Sequence, residues 1–324
     1  MCIRDSLEVI LSIPQQPLRH YSTPISNRNL EGKLQQLYSS IFPGYSNQER
    51  LQISQEFYQW LIQPASADLV KNQIKTLVFV PDGAFRNIPM GILYDGQHYL
   101  IEKYSMAVSP GLQLFPAKLE SKKLSVLVAA LTEARQGFSA LPGVRSEIQQ
   151  ISSSARSQIL LDRQFTRNSF HKLIDDRSFS VIHLATHGQF SSNPEETFLL
   201  TWNDKIGIKD LDNFFQKSRL GIDKPIDLLV MSACETAAGD ERSALGLAGF
   251  ALRSGARSTL ASLWSVNDRS TATLMSEFYR QITRQNSKIT KAEALRQAQL
   301  TVMKNPLYQH PYFWASFLLI GNWL

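Results

Sequence analysis

From about residue 119 to residue 324 the chain alternates short apolar runs with stretches at helical spacing. Runs such as Ser125-Val-Leu-Val-Ala-Ala130 are apolar at consecutive positions rather than at every second one. A strand of that kind is buried on both faces, so helices must cover both sides of a largely parallel sheet. The pattern predicts strands over 125–130, 158–161, 179–185, 226–232, 258–264 and 314–320. It predicts helices over 144–152, 166–173 (with Thr166 as N-cap), 245–253 (stopped by Gly255), 270–283 and 290–304. The fold class is therefore α/β, with a mostly parallel sheet in an α/β/α sandwich.

The first third reads differently. Residues 1–70 form an N-terminal helical lead. In it Leu34, Leu37, Tyr38 and Ile41 recur at helical spacing, Pro43-Gly44 makes a stop, and a second helix carries Ile53, Phe57, Trp60 and Leu61. Residues 71–118 form a strand- and hairpin-rich companion region. There Lys75 to Val80 reads as a strand, Pro81-Asp82-Gly83 as a turn, Tyr94 to Ile101 as a hairpin around Asp95-Gly96, and Ser105 to Val108 as one more strand. The α/β region, 119–324, follows. No repeat of 30–45 residues is visible.

Composition removes several classes. Two cysteines, Cys2 and Cys234, rule out a disulfide framework and any multi-cysteine metal cluster. Lys and Arg number 34 against 28 Asp and Glu, a net charge of +6 that is scattered and points to no nucleic-acid partner. No apolar stretch nears the ~20 residues of a membrane span, and the opening residues lack the pattern of a secretory leader. A cytoplasmic, reducing setting is the expectation.

Chemistry in an open parallel sheet belongs at the carboxyl ends of the strands. After the strand ending at Ala185 come Thr186-His187-Gly188, and after the strand ending near Met231 come Ser232-Ala233-Cys234. If the two strands are neighbours, an imidazole and a thiol leave the same sheet edge, the arrangement a Cys–His nucleophilic pair needs. The N–H groups of Gly188 and Cys234 are candidates for an oxyanion hole. Cys234 lies 47 residues after His187, and caspases place the histidine about 50 residues upstream of the cysteine. The flank Ser232-Ala-Cys-Glu-Thr236 departs from the caspase one, so this is not a caspase proper.

The motifs, taken in order, resemble the CHAT domain family, a caspase-like group in the caspase/separase clan. The resemblance is carried by His183-Leu-Ala-Thr-His-Gly188, by Ser232-Ala-Cys-Glu-Thr-Ala237 with Gly239, and by Leu245-Gly-Leu-Ala-Gly-Phe-Ala251. Gly255-Ala256 through Ser262 to Asp268 adds to it, as do His310 to Phe317 with Ile320-Gly321. Upstream, Val80 to Pro89, Tyr94-Asp95-Gly96 and Leu141-Pro142-Gly143 fit as well. It covers residue 50 to the end. It implies a caspase–hemoglobinase-like sandwich, a His187/Cys234 dyad, endopeptidase activity on a protein substrate in signalling or defence, and no cofactor or metal. Many relatives carry tetratricopeptide helices upstream. They are not visible here, as in a truncated or short member, and an upstream sensor or a tetratricopeptide-repeat partner is among the expected partners.

Other residues weigh in more weakly. His183 and His187 are four apart, but the segment is a strand and lacks the glutamate of a zinc helix, so His183 reads as a buried, hydrogen-bonded histidine behind the site, bracing the His187 loop. Glu235, Asp240 and Asp268 follow strand exits and are the candidate substrate-binding carboxylates. They would favour Arg or Lys before the cut bond through charge-assisted pairing. The alternative for Asp240 is a solvated acidic loop, and Asp268 reads either as a pocket or loop-fixing carboxylate or as a solvated loop residue. The polar loop 235–243 is expected to order only on engagement by a sensor or substrate. The competing reading is a catalytically silent scaffold that binds a protein in the same cleft. A nucleotide-binding domain is disfavoured, since neither Gly-x-Gly-x-x-Gly after a strand nor a P-loop is present.

Overall fold

The structure is a computed structural model that describes residues 5–109, 111, 124–176, 178–189, 194–207, 209–211, 213–214, 226–232, 255–265, 267–284 and 289–324. The chain divides into two compact units, residues 1–77 with 82–105, and residues 78–81 with 106–324.

The first unit opens with β1 (Ser6–Leu11) paired antiparallel to β2 (Arg19–Pro24). The segment expected as a helical lead thus begins with a hairpin and turns helical at Asn27. Exposure alternates along β1, with Leu7 buried and Glu8 and Ile10 exposed, since successive strand side chains face opposite ways. Helix α1 (Asn27–Ser40) is capped by the Ser26 hydroxyl, and α2 (Asn47–Leu61) by a reciprocal Ser46–Glu49 capping box. Then come α3 (Ser66–Lys71) and α4 (Leu100–Lys103), while β3 (Thr76–Phe79) passes at Val78 into the second unit, whose sheet it joins. The expected hairpin at 94–101 is instead a turn closed by one bridge, Tyr94 to Tyr99. Asp95 accepts the backbone N–H of Gln97 and of His98, which spends that segment on a tight turn, and α4 starts directly after it.

The second unit is built on a sheet. Its elements are β4 (Ser105–Val108), β5 (Ser125–Ala130), α5 (Val144–Ser154), β6 (Arg156–Leu161), α6 (Arg167–Asp176) and β7 (Val181–Ala185). There follow the short β8 (Gly188–Gln189), β9 (Phe198–Leu200) and β10 (Lys205–Gly207), then β11 (Leu228–Met231) and β12 (Ser258–Ser262). Last are α7 (Asp268–Ile282), α8 (Lys291–Met303), α9 (Pro311–Trp314) and β13 (Phe317–Gly321). The expected final strand thus begins three residues late. Pro311 opens a helical turn capped by the His310 ring, and Trp314 ends it. The expected helix over 245–253 lies outside the described residues, while Gly255 has the left-handed φ of +101° that suits a helix stop.

The sheet has eight strands in the order β3-β4-β13-β12-β11-β7-β5-β6. The run from β6 through β12 is parallel throughout, and β13 is antiparallel to β12. The strands β7, β11 and β12 are buried at every residue. Side chains alternate between two faces: Ile182 and Leu184 join a core with Phe165, Phe170, Leu229 and Met231, while His183 points to the face covered by α5 and α7.

Candidate active site

The two strands on which the sequence argument rests are direct neighbours. Leu228 to Met231 of β11 lie beside Val181 to Leu184 of β7, in parallel and in register. The Ser232 N–H continues the ladder by donating to the Leu184 carbonyl at 3.0 Å. The chain therefore leaves β7 toward His187 and leaves β11 toward Cys234 at one sheet edge. Cys234 itself, with Glu235 and Asp240, lies outside the described residues.

His187 is half-buried and held in a specific attitude. Its Nε2 lies 2.8 Å from the Ser139 carbonyl oxygen, and its ring stacks on Phe138 with centroids 5.0 Å apart. A carbonyl only accepts, so Nε2 carries the proton, and Nδ1 of the neutral ring keeps a lone pair to take a proton from another group.

Residues 131–143, which leave β5, supply both contacts. At one end, the buried Asp162 carboxylate accepts the Thr132 N–H at 2.7 Å and the Thr132 hydroxyl at 2.8 Å. At the other end, Asp268 Oδ2 accepts the Gly143 N–H at 2.6 Å. In between, Arg135 and Phe138 exchange backbone hydrogen bonds across Gln136 (φ +49°) and Gly137 (φ +86°). Two consecutive positive φ values define the tight I′ hairpin turn. The Arg135 guanidinium stacks on Trp202 at 3.6 Å and donates through Nε to the Trp202 carbonyl, fixing the turn in place. The sequence reading missed Phe138, Ser139 and Asp162. A Gln-Gly turn signal was present for the first two, but a main-chain acceptor leaves no trace in residue type.

Gly188 pairs with Leu199 in a three-stranded sheet ordered β10-β9-β8. Leu200 donates to the His187 carbonyl at 2.8 Å, which makes 187/200 the hydrogen-bonded pair. Antiparallel ladders alternate, so the next pair is not hydrogen-bonded, and the Gly188 N–H points away from β9. An oxyanion donor has to point out of the ladder in this way.

Asp268, at the start of α7, is half-buried and meets the loop at Gly143. His183 is fully buried. Its Nε2 is 3.0 Å from Glu147 Oε2 and its Nδ1 3.1 Å from the Tyr279 hydroxyl. The Ser232 hydroxyl donates to the same Glu147 oxygen at 2.9 Å. Burial, and secondarily the Glu147 charge, push the Tyr279 phenol well above its ordinary value, so it remains O–H.

A sheet of this topology is a caspase-like fold. The chain belongs to the CHAT domain family, whose profile matches residues 51–322. No curated protein matches the chain in sequence. Among solved structures it is similar to gingipain R (RgpB), an Arg-specific cysteine proteinase, with TM-score 0.53 and 12% identity over 91% of this chain and 75% of that one. The complex of the pro- and mature domains of RgpB from Porphyromonas gingivalis gives TM-score 0.53 and 10% identity over 92% and 77%. The separase–securin complex of Saccharomyces cerevisiae gives 0.49 and 12% over 96% and 21%. The caspase-like fold assignment rests on the first two. Among the described residues no helix is long and apolar enough to cross a membrane.

Proposed function

We propose that the protein is a cysteine endopeptidase in which Cys234 is the nucleophile and His187 the general base. The observation that carries this reading is the parallel register of β7 and β11, which sends the chain toward both residues from one sheet edge. His187 Nδ1 takes the thiol proton while the Ser139 carbonyl and Phe138 hold the ring. The thiolate attacks the peptide carbonyl carbon, forming a C–S bond, and the N–H groups of Gly188 and Cys234 receive the oxyanion. The C–N bond then breaks as His187 returns the proton to the leaving amine. Water attacks the thioester, the C–S bond breaks, and the free acid and the thiol are released. No cofactor is needed for these steps.

Glu235, Asp240 and Asp268 supply negative charge around the residue before the cut bond, so Arg or Lys is the expected side chain there. Asp268 acts through its remaining charge, since its Oδ2 is engaged by Gly143. The substrate is a protein, and the setting that of a regulated protease in a reducing compartment.

The test is cleavage of an unbiased peptide library by wild type, Cys234→Ala and His187→Ala. Wild type should cut after basic residues, and both variants should lose at least about a thousandfold in rate. Equal cutting by wild type and Cys234→Ala would refute the assignment. Loss of the basic preference in Asp268→Asn, with cutting retained, would place that charge in the pocket.

A further inference from the structure

Glu147 on α5 is 1% exposed, and no Lys or Arg contacts its carboxylate among the described residues. Among the described residues its hydrogen bonds fall on Oε2, one from His183 Nε2 and one from the Ser232 hydroxyl. Tyr279 of α7 closes the chain by donating to His183 Nδ1. Burying such a group is expensive, and well-packed apolar residues serve stability as well or better. Stability alone therefore does not account for it, whereas the place where it ends does. Ser232 is the first residue after β11 and stands two positions before Cys234. Its N–H is fixed on Leu184 of β7 and its hydroxyl on Glu147, so backbone and side chain are held from different elements.

We propose that Glu147 and His183 are positioning residues that set the direction in which the chain leaves β11, and hence where the Cys234 thiol stands. The contacts of His183 run to Glu147 and Tyr279, and through Glu147 to the cysteine's strand exit, whereas His187 is held by the Ser139 carbonyl and Phe138. The inference rests on Cys234 being the reactive thiol, but its test does not require proteolysis.

The chain has one other cysteine, Cys2, which serves as an internal reference. The rate of iodoacetamide alkylation at Cys234 relative to Cys2 is read by peptide mass spectrometry, with thermal unfolding measured alongside. Ser232→Ala and Glu147→Gln should change the ratio by about fivefold or more, the scale of one hydrogen bond. Ser232→Thr, which keeps the hydroxyl, should stay within about twofold of wild type. A lowered melting temperature with an unchanged ratio in Ser232→Ala means a purely structural network and overturns the proposal. Ser232→Ala carries the test if Glu147→Gln fails to fold. His187→Ala in the same assay separates the two readings. If it leaves the ratio unchanged while Ser232→Ala shifts it, the dyad fails and the positioning role stands.

Discussion

At the residue scale, the site is organised by carboxylates that accept backbone hydrogen bonds. Asp162 is the clearest case. It is buried, takes a left-handed φ of +49°, and receives both the N–H and the hydroxyl of Thr132. Asp162→Ala leaves both donors unmet and keeps an unfavourable backbone angle, so it should lower unfolding free energy by about 2–4 kcal/mol in urea titration. A loss under about 0.5 kcal/mol would mean that Thr132 finds other partners. Asp95, in the first unit, shows the same device on the surface. Burial raises its carboxyl, but Lys103 and the N–H groups of His98 and Gln97 outweigh it and hold the group at about 2. Its folded value lies below its ordinary one, so the stabilisation is fully present above the ordinary value and is lost as pH falls toward about 2. The stability gap between wild type and Asp95→Asn should therefore be constant above about pH 5, narrow as pH falls through the ordinary value and close only below about pH 2, as read by unfolding at stepped pH. A gap independent of pH would show that the carboxylate charge is not responsible.

At the scale of elements, the segment between β5 and α5 is a clamp with two ends. Its second end is tight: a Cβ on Gly143 would lie 2.8 Å from Asp268 Cγ, Oδ1 and backbone oxygen. The backbone oxygen belongs to the first turn of α7, so a side-chain rotation cannot relieve the clash. Gly143→Ala should cost about 1–3 kcal/mol in thermal or chemical unfolding and slow Cys234-dependent cleavage, because the loop carrying Phe138 and Ser139 must shift. Neutral behaviour in both measurements would show that α7 yields freely. Here the limit of sequence reading is visible. Strands such as Val181–Ala185 and Leu228–Met231 were legible because apolar runs and flanking helices carry their own periodicity. The strand exits put His187 and Gly188 in view for the same reason. The partners of His187 were not, since one is a peptide carbonyl and the other, Phe138, is a single aromatic in a turn. Glu147 hid as well: on a helix a lone glutamate reads as solvent-facing, and only the packing of α5 on the sheet and on α7 buries it against His183. The β1–β2 hairpin was not legible because Val9, Ile10 and Leu11 are apolar in succession, without alternation, and β2 is almost wholly polar.

At the scale of the molecule, what matters for chemistry is whether the sheet is a rigid platform before any substrate arrives. The strands β7 and β11 are buried at every residue and flanked on both sides by paired strands. β6 is a sheet edge, and β1 with β2 is a two-stranded ribbon with exposed residues along both strands. Local opening follows buried contacts and pairing, so amides 182–184 and 229–231 should exchange only through global unfolding. In hydrogen-exchange mass spectrometry at neutral pH they should be protected by orders of magnitude more than amides 6–11 and 19–24, with β6 between them. That ranking is what a preorganised pair of strand exits requires, because positioning counts in catalysis only if it is in place before the transition state forms. If β7 and β11 exchange as fast as the β1–β2 ribbon, the sheet does not hold the two exits in place, and the catalytic geometry would have to be assembled by the substrate or by an activating partner.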